Sequence, residues 1–120
     1  MTAAQSPPSS FLPLTPVVYE ILLALADRDR HGYAIMQEIE GRTDGRTRLR
    51  PGTLYRAIDR LLATGLIEES DERPDPALDD ERRRYYQMTS LGRAVVTAEA
   101  ERLAQAVASA RAKKLVKGRA

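Results

Sequence analysis

Hydrophobic positions along this chain change their spacing several times, and each change marks a new element. The run VVYEILLALA, residues 17–26, is apolar nearly all round, with Glu20 its single charge. Thr15 and Pro16 before it supply a side-chain cap and a residue that costs nothing in the first helical turn. An apolar helix of this kind is expected to be covered on two sides. A short second helix is predicted over 33–40, where Gly32, Ile35, Met36 and Ile39 share one stripe and Gln37, Glu38 and Glu40 face away. GRTDGRTRLR then turns the chain, with TRL at 47–49 able to make a brief strand. Pro51 opens a third helix to Thr64, and Gly65 is placed to stop it. Residues 66–70 read as a strand, 71–81 as a proline-broken loop and 84–88 as the returning strand of a hairpin. Thr89 caps a long fourth helix towards Lys114.

The order α, α, short β, α, β, β, α predicts a mainly α fold with a small β-hairpin: a winged helix-turn-helix domain carrying a long C-terminal helix. Residues 1–14, rich in Pro, Ser and Ala, are expected to form a flexible arm whose Phe11 and Leu12 can dock. Residues 15–88 form the winged domain, and 89–120 the dimerisation helix with a basic tail. A chain of 120 residues, 42% hydrophobic, supports one core and not two.

The third helix has two unlike faces. Leu54, Ile58, Leu61 and Leu62 converge on one side with Ala57 beside them, while Arg56 points opposite, flanked by Thr53, Asp59, Arg60 and Ala63. Tyr55 falls at the boundary. Net charge is only +2, from 19 basic and 17 acidic residues, yet between Arg46 and Arg60 five arginines (Arg46, Arg48, Arg50, Arg56 and Arg60) meet one carboxylate, Asp59. Double-stranded DNA suits that distribution: phosphates attract the cations, the major groove admits a helix, and arginine can bond guanine O6 and N7 together. On the hairpin, Arg82, Arg83 and Arg84 can reach a phosphate or a minor groove, whereas the six carboxylates at 71–81 are expected to swing clear of DNA.

The fourth helix, at 1.5 Å per residue, would be roughly 39 Å long and overhang a domain about 30 Å across. Leu91, Ala94, Val95 and Ala98 form a stripe suited to its own domain. Val96, Ala100, Leu103, Val107 and Ala110 follow a seam on another face. A homodimer that pairs this seam with the exposed side of the first helix, Val18 and Leu22 included, would cover both.

Other chemistries find little support. Cysteine is absent and His31 is the single histidine, which removes thiol chemistry and multi-histidine metal sites, and no nucleophile or phosphate-loop motif is present. No enzyme and no cofactor are expected. His31 is expected to serve as a local hydrogen-bonding residue and Gly32 to permit a tight turn. Tyr85 and Tyr86 occupy adjacent strand positions, so one should face the core and the other solvent or the fourth helix, and core packing is the expected use of both. No apolar run approaches a bilayer span and the N-terminus lacks a leader pattern, so a soluble, cytoplasmic protein is expected. A winged helix used to dock an acidic protein partner is the alternative to DNA binding.

HGYAIMQEIEGRTDGRTRLRPGTLYRAIDRLLATGLIEES followed by ERRRYYQMTSLGR closely resembles the PadR family of bacterial transcriptional regulators, in its compact branch with a single C-terminal helix. The resemblance implies a homodimer built by that helix and repression relieved by an effector. It implies DNA contacts from Thr53, Tyr55 and Arg56, and from Tyr33 of HGY. One departure is Arg50 before Pro51, where many relatives carry a small or hydroxylated residue, so a side-chain cap worth ~1 kcal/mol is missing and Arg50 is free for a phosphate. Some relatives hold flat aromatic compounds between tryptophans. This chain has no tryptophan, and an effector seat is expected instead beside Tyr19, Leu23 and Leu103.

Overall fold

Thr15 begins the first helix as expected: its hydroxyl accepts the Val18 amide at 3.2 Å, and α1 runs Pro16–Ala24. The protein, described by a computed structural model over residues 7–71 and 84–117, continues with β1 (Arg30–His31), α2 (Gly32–Arg42), α3 (Pro51–Ala63), β2 (Ile67–Ser70), β3 (Tyr85–Met88) and α4 (Ser90–Ala112). It is a mainly helical winged fold with a three-stranded antiparallel sheet in the order β1-β3-β2. Ile67 stands opposite Met88 and Ser70 opposite Tyr85, while Arg30 and His31 pair with Tyr86 and Tyr85 on the other edge.

The apolar character of α1 comes from its central place. Ile21, Leu22 and Ala24 are fully buried in a cluster with Ile35 and Ile39 of α2, Leu54, Ile58 and Leu61 of α3, and Val95 and Val96 of α4. The chain's own elements thus cover Ile21, Leu22 and Ala24, while Val17, Val18, Tyr19 and Leu23 of α1 stay half-buried. Arg42 fastens α2 to α1, bonding Glu38 at 2.9 Å and Glu20 at 2.5 Å.

Several expectations are corrected. The brief strand is not at 47–49, where the Thr47 amide instead bonds the Thr43 hydroxyl in the turn after α2. It is at Arg30–His31, held by the Arg30 side chain on the Ala24 carbonyl at 2.7 Å. The core packing expected of both Tyr85 and Tyr86 is found: both are buried, although neighbouring strand residues point to opposite faces. Tyr86 enters the core cluster and Tyr85 packs edge-on against His31, so both faces of β3 are covered here. The part of the supposed flexible arm that is described, residues 7–14, is folded: Pro8–Phe11 makes a 3-10 turn against α4, and Phe11, Leu12 and Leu14 pack on the core.

That docking explains the one buried carboxylate among the described residues. Of the stripe expected on α4, Val95 is buried, Leu91 packs on the core and Ala98 is half-buried, but Ala94 is exposed, and Gly92, Val96 and Glu99 complete the inward face. Glu99, 2% exposed, accepts the Leu14 amide at 3.0 Å and two bonds from Arg102 at 2.6 and 3.0 Å. The Arg102 hydrogen bonds, aided by the Leu14 amide and opposed by burial, hold its carboxyl below the ordinary value of 4.5. A depressed folded-state value means the stabilisation is complete above pH ~4.5 and is lost as pH falls through that lower value. Glu99→Ala, which orphans the Leu14 amide, should cost ~1–3 kcal/mol at neutral pH. In Glu99→Gln the thermal midpoint should depend less on pH below 4.5 than in the parent, as a thermal melt series will show.

Candidate nucleic-acid interface

The third helix forms where the sequence places it, and its two faces separate as expected. Leu54, Ile58 and Leu61 are buried, Ala57 and Leu62 half-buried, and Arg56, Asp59, Arg60 and Ala63 exposed. Burying the aliphatic flank fixes the helix, and the opposite flank faces outward as a consequence. Thr53 is half-buried and Tyr55 is 43% exposed at the boundary. At the C-terminal end, Gly65 takes a positive φ of 80°, and the Leu66 amide bonds back to Leu61 O at 3.0 Å, closing the helix.

Arg50 is the residue that caps α3, and its side chain makes no capping bond. The first-turn amides of a 13-residue helix are thus left to an outside acceptor, beside an exposed guanidinium. Arg46 and Arg48 are exposed just upstream. Arg48 lies 3.5 Å from Glu40, and Arg84 lies 3.0 Å from Glu69. Exposed pairs of this kind are worth only ~0–1 kcal/mol, so both arginines can exchange their carboxylates for phosphates. Tyr33 is 58% exposed on the first turn of α2 and shares a shallow depression with Arg48. Arg82 and Arg83 lie outside the described residues, as does the acidic run of the loop beyond Asp71.

Sequence reasoning missed the flank of this surface. The start of α1 lies alongside α3, and Thr15, Val17 and Val18 face Thr53, Arg56, Ala57 and Arg60 across a groove of about 220 Å³. No local pattern announces a neighbour 35 or more residues away; only the burial of both helices in one core brings them together. Gly32 is also corrected: its φ is not positive, and it is a buried helical residue in close contact with Tyr55 rather than a turn former. His31 has the local role expected of it, its Nδ1 accepting the Ala34 amide at 3.2 Å to cap α2.

The expected partner-facing and effector-facing residues divide. Leu22, wholly buried, and Val96, 6% exposed, belong to the chain's own core and have no surface to offer a second copy. Val18 is half-buried in the α1–α3 groove. Ala100 and Val107 are exposed and Leu103 and Ala110 half-buried, along the part of α4 beyond Glu99. Tyr19 and Leu23 are half-buried against the core. Among the described residues there is no cluster suited to a metal ion, and no helix is long and apolar enough to cross a membrane.

Comparison with known proteins adds a family. The sequence profile of the "Transcriptional regulator PadR-like family" matches residues 21–98. A transcriptional regulator of Mycobacterium tuberculosis is 39% identical over 77 residues, which cover 64% of this chain and 65% of that protein. A solved transcriptional regulator from Clostridium thermocellum superposes with a TM-score of 0.65 at 29% identity, over 84% of this chain and 90% of that one. The PadR of Bacillus subtilis, solved in complex with operator DNA, superposes with a TM-score of 0.57 at 19% identity, over 76% of this chain and 48% of its own; that likeness is one of fold.

Proposed function

The chain belongs to the PadR-like family of transcriptional regulators, which are not enzymes, and from that premise we propose that it reads DNA sequence with the outward face of α3. The observation that carries the proposal is the separation of faces on this helix: its aliphatic flank is locked in the core while Arg56 and Arg60 stand exposed, with Arg46 and Arg50 exposed just before it. A helix so presented fits the major groove, where arginine bonds guanine bidentately. Arg50 and the uncapped first turn suit a backbone phosphate. Thr53, Tyr55 and Tyr33 extend the same contact, and Arg48 and Arg84, with Arg82 and Arg83, supply phosphate contacts around it. The operator complex of the Bacillus subtilis protein, which shares the fold, supports DNA as the partner.

The protein acts, in this reading, as a homodimer. Ala100, Leu103, Val107 and Ala110 leave an apolar seam along the overhanging part of α4, and pairing it with a second copy would cover it. Two copies of α3 set about 34–36 Å apart then enter successive major grooves and read a pseudo-palindrome. Repression by occupying promoter DNA, with release by a small-molecule effector where α1 meets α4 beside Tyr19, Leu23 and Leu103, completes the proposal.

Selection of duplexes from a randomised library by the purified protein tests it. The expected product is one enriched sequence with two-fold symmetry and half-sites one helical turn apart. Its affinity should fall by about a thousandfold or more between 50 and 200 mM salt if some six phosphates are contacted. Enrichment of no sequence, or binding indifferent to salt, would contradict the reading.

A further inference from the structure

Gly32 is the first residue of α2, fully inside the fold, in a backbone conformation open to any residue. Glycine has no advantage over alanine in a helix, so neither backbone geometry nor helix stability explains it. Its surroundings do. The three atoms nearest the place a Cβ would occupy are the hydroxyl oxygen, Cζ and one ring carbon (Cε1) of Tyr55, and the hydroxyl would be in outright collision. Contrast Gly41 on the same helix, where a Cβ would meet nothing within 4 Å. The vacancy at position 32 is filled by the end of one side chain, and that side chain comes from α3.

We propose that Gly32 is a positioning residue for DNA recognition: by lacking a side chain it seats the Tyr55 ring against the first turn of α2 and fixes where the Tyr55 hydroxyl is presented. This rests on the reading of α3 as the DNA-contacting helix. Tyr55 is 43% exposed and Tyr33, next to Gly32, is 58% exposed. The seat therefore holds a ring at the rim of the surface, between the outward face of α3 and the start of α2. A tyrosine hydroxyl held there can donate to a phosphate oxygen or a base edge without first losing the freedom of its side chain, and a preset donor binds better than a mobile one. With a methyl group at position 32, the ring end must swing away, because it is the flexible partner in the collision. Recognition then loses a fixed donor although Gly32 itself touches no DNA.

The test is a double-mutant cycle on a duplex selected by the wild-type protein, comparing wild type, Gly32→Ala, Tyr55→Ala and the double variant by fluorescence anisotropy. Gly32→Ala should weaken binding by about a hundredfold or more, since a dimer loses two hydrogen bonds to charged groups and each is worth about tenfold or more. In the Tyr55→Ala background the same change should have no effect, because no ring is left to displace. Tyr55→Phe, which keeps the ring and removes the hydroxyl, should lose about as much as Gly32→Ala. If Gly32→Ala fails to fold, Tyr55→Ala in the same chain should restore folding by vacating the space. Wild-type affinity in Gly32→Ala, an equal loss with and without Tyr55, or no rescue of folding would overturn the proposal while leaving DNA binding by the parent intact. A parent that binds no duplex would overturn the function itself.

Discussion

Gly92→Ala should lower the thermal midpoint by roughly 8–12 °C, the shift expected of a loss of ~2–3 kcal/mol in a domain of this size. Replacing a helical glycine by alanine ordinarily stabilises, by ~0.5–1 kcal/mol. Here the sign reverses because α4 crosses the hairpin at a point with no room. A Cβ on Gly92 would overlap the backbone carbonyl oxygen of Leu66 and stand 2.9 Å from Cγ of Met88. That carbonyl cannot retreat cheaply: it accepts the Thr89 amide at 3.1 Å, and the Thr89 hydroxyl reaches both it and the Gly65 carbonyl, the latter at 2.7 Å. The same hydroxyl accepts the Gly92 amide at 3.0 Å as the cap of α4. Cap, hairpin and helix thus meet at one place, and a displaced carbonyl loosens all three. Gly41→Ala, in open space on α2, serves as the control and should raise the midpoint slightly. A melt of Gly92→Ala at or above the parent midpoint would show that the crossing is looser than the distances imply.

Local pattern made the third helix legible. Leu54, Ile58 and Leu61 at helical spacing told which side would be buried, and the exposure of Arg56 and Arg60 followed from it. Caps were equally readable, because a threonine hydroxyl before a helix has one nearby use; Thr15 and Thr89 both serve it. Readings that depended on distant neighbours fared worse. An all-round apolar α1 was compatible with a partner subunit or with several elements of its own chain, and pattern alone does not apportion its faces: Leu22 went to the core, while Val17, Val18, Tyr19 and Leu23 stay half-buried. Glu99 is charged, so no apolar stripe includes it; its burial became possible because the Leu14 amide and Arg102 supply hydrogen bonds that replace water. The brief strand was misplaced because two residues carry no periodicity, and pairing with β3 is a tertiary event. Gly32 was read as a turn former because glycine has two uses, unusual φ and missing volume, and the sequence does not say which.

Arg56 bears most directly on the central claim that the outward flank of α3 receives a duplex. The side chain is exposed and has no ion pair among the described residues, so Arg56→Ala should leave the thermal midpoint within the range of ordinary surface substitutions, ~0.5 kcal/mol. On DNA the expectation is different. A bidentate arginine–guanine contact discriminates by ~1–3 kcal/mol, and a dimer would lose two of them, so affinity for the selected duplex should fall by about a hundredfold or more while binding to unrelated duplexes changes far less. Arg111→Ala, at the exposed last turn of α4, is the matched loss of charge away from this face and should leave that ratio unchanged. The decisive measurement is therefore the ratio of affinities for selected and unrelated DNA in Arg56→Ala against the parent at fixed salt: the account predicts that the ratio collapses towards one, and an undiminished ratio in a folded variant would contradict it.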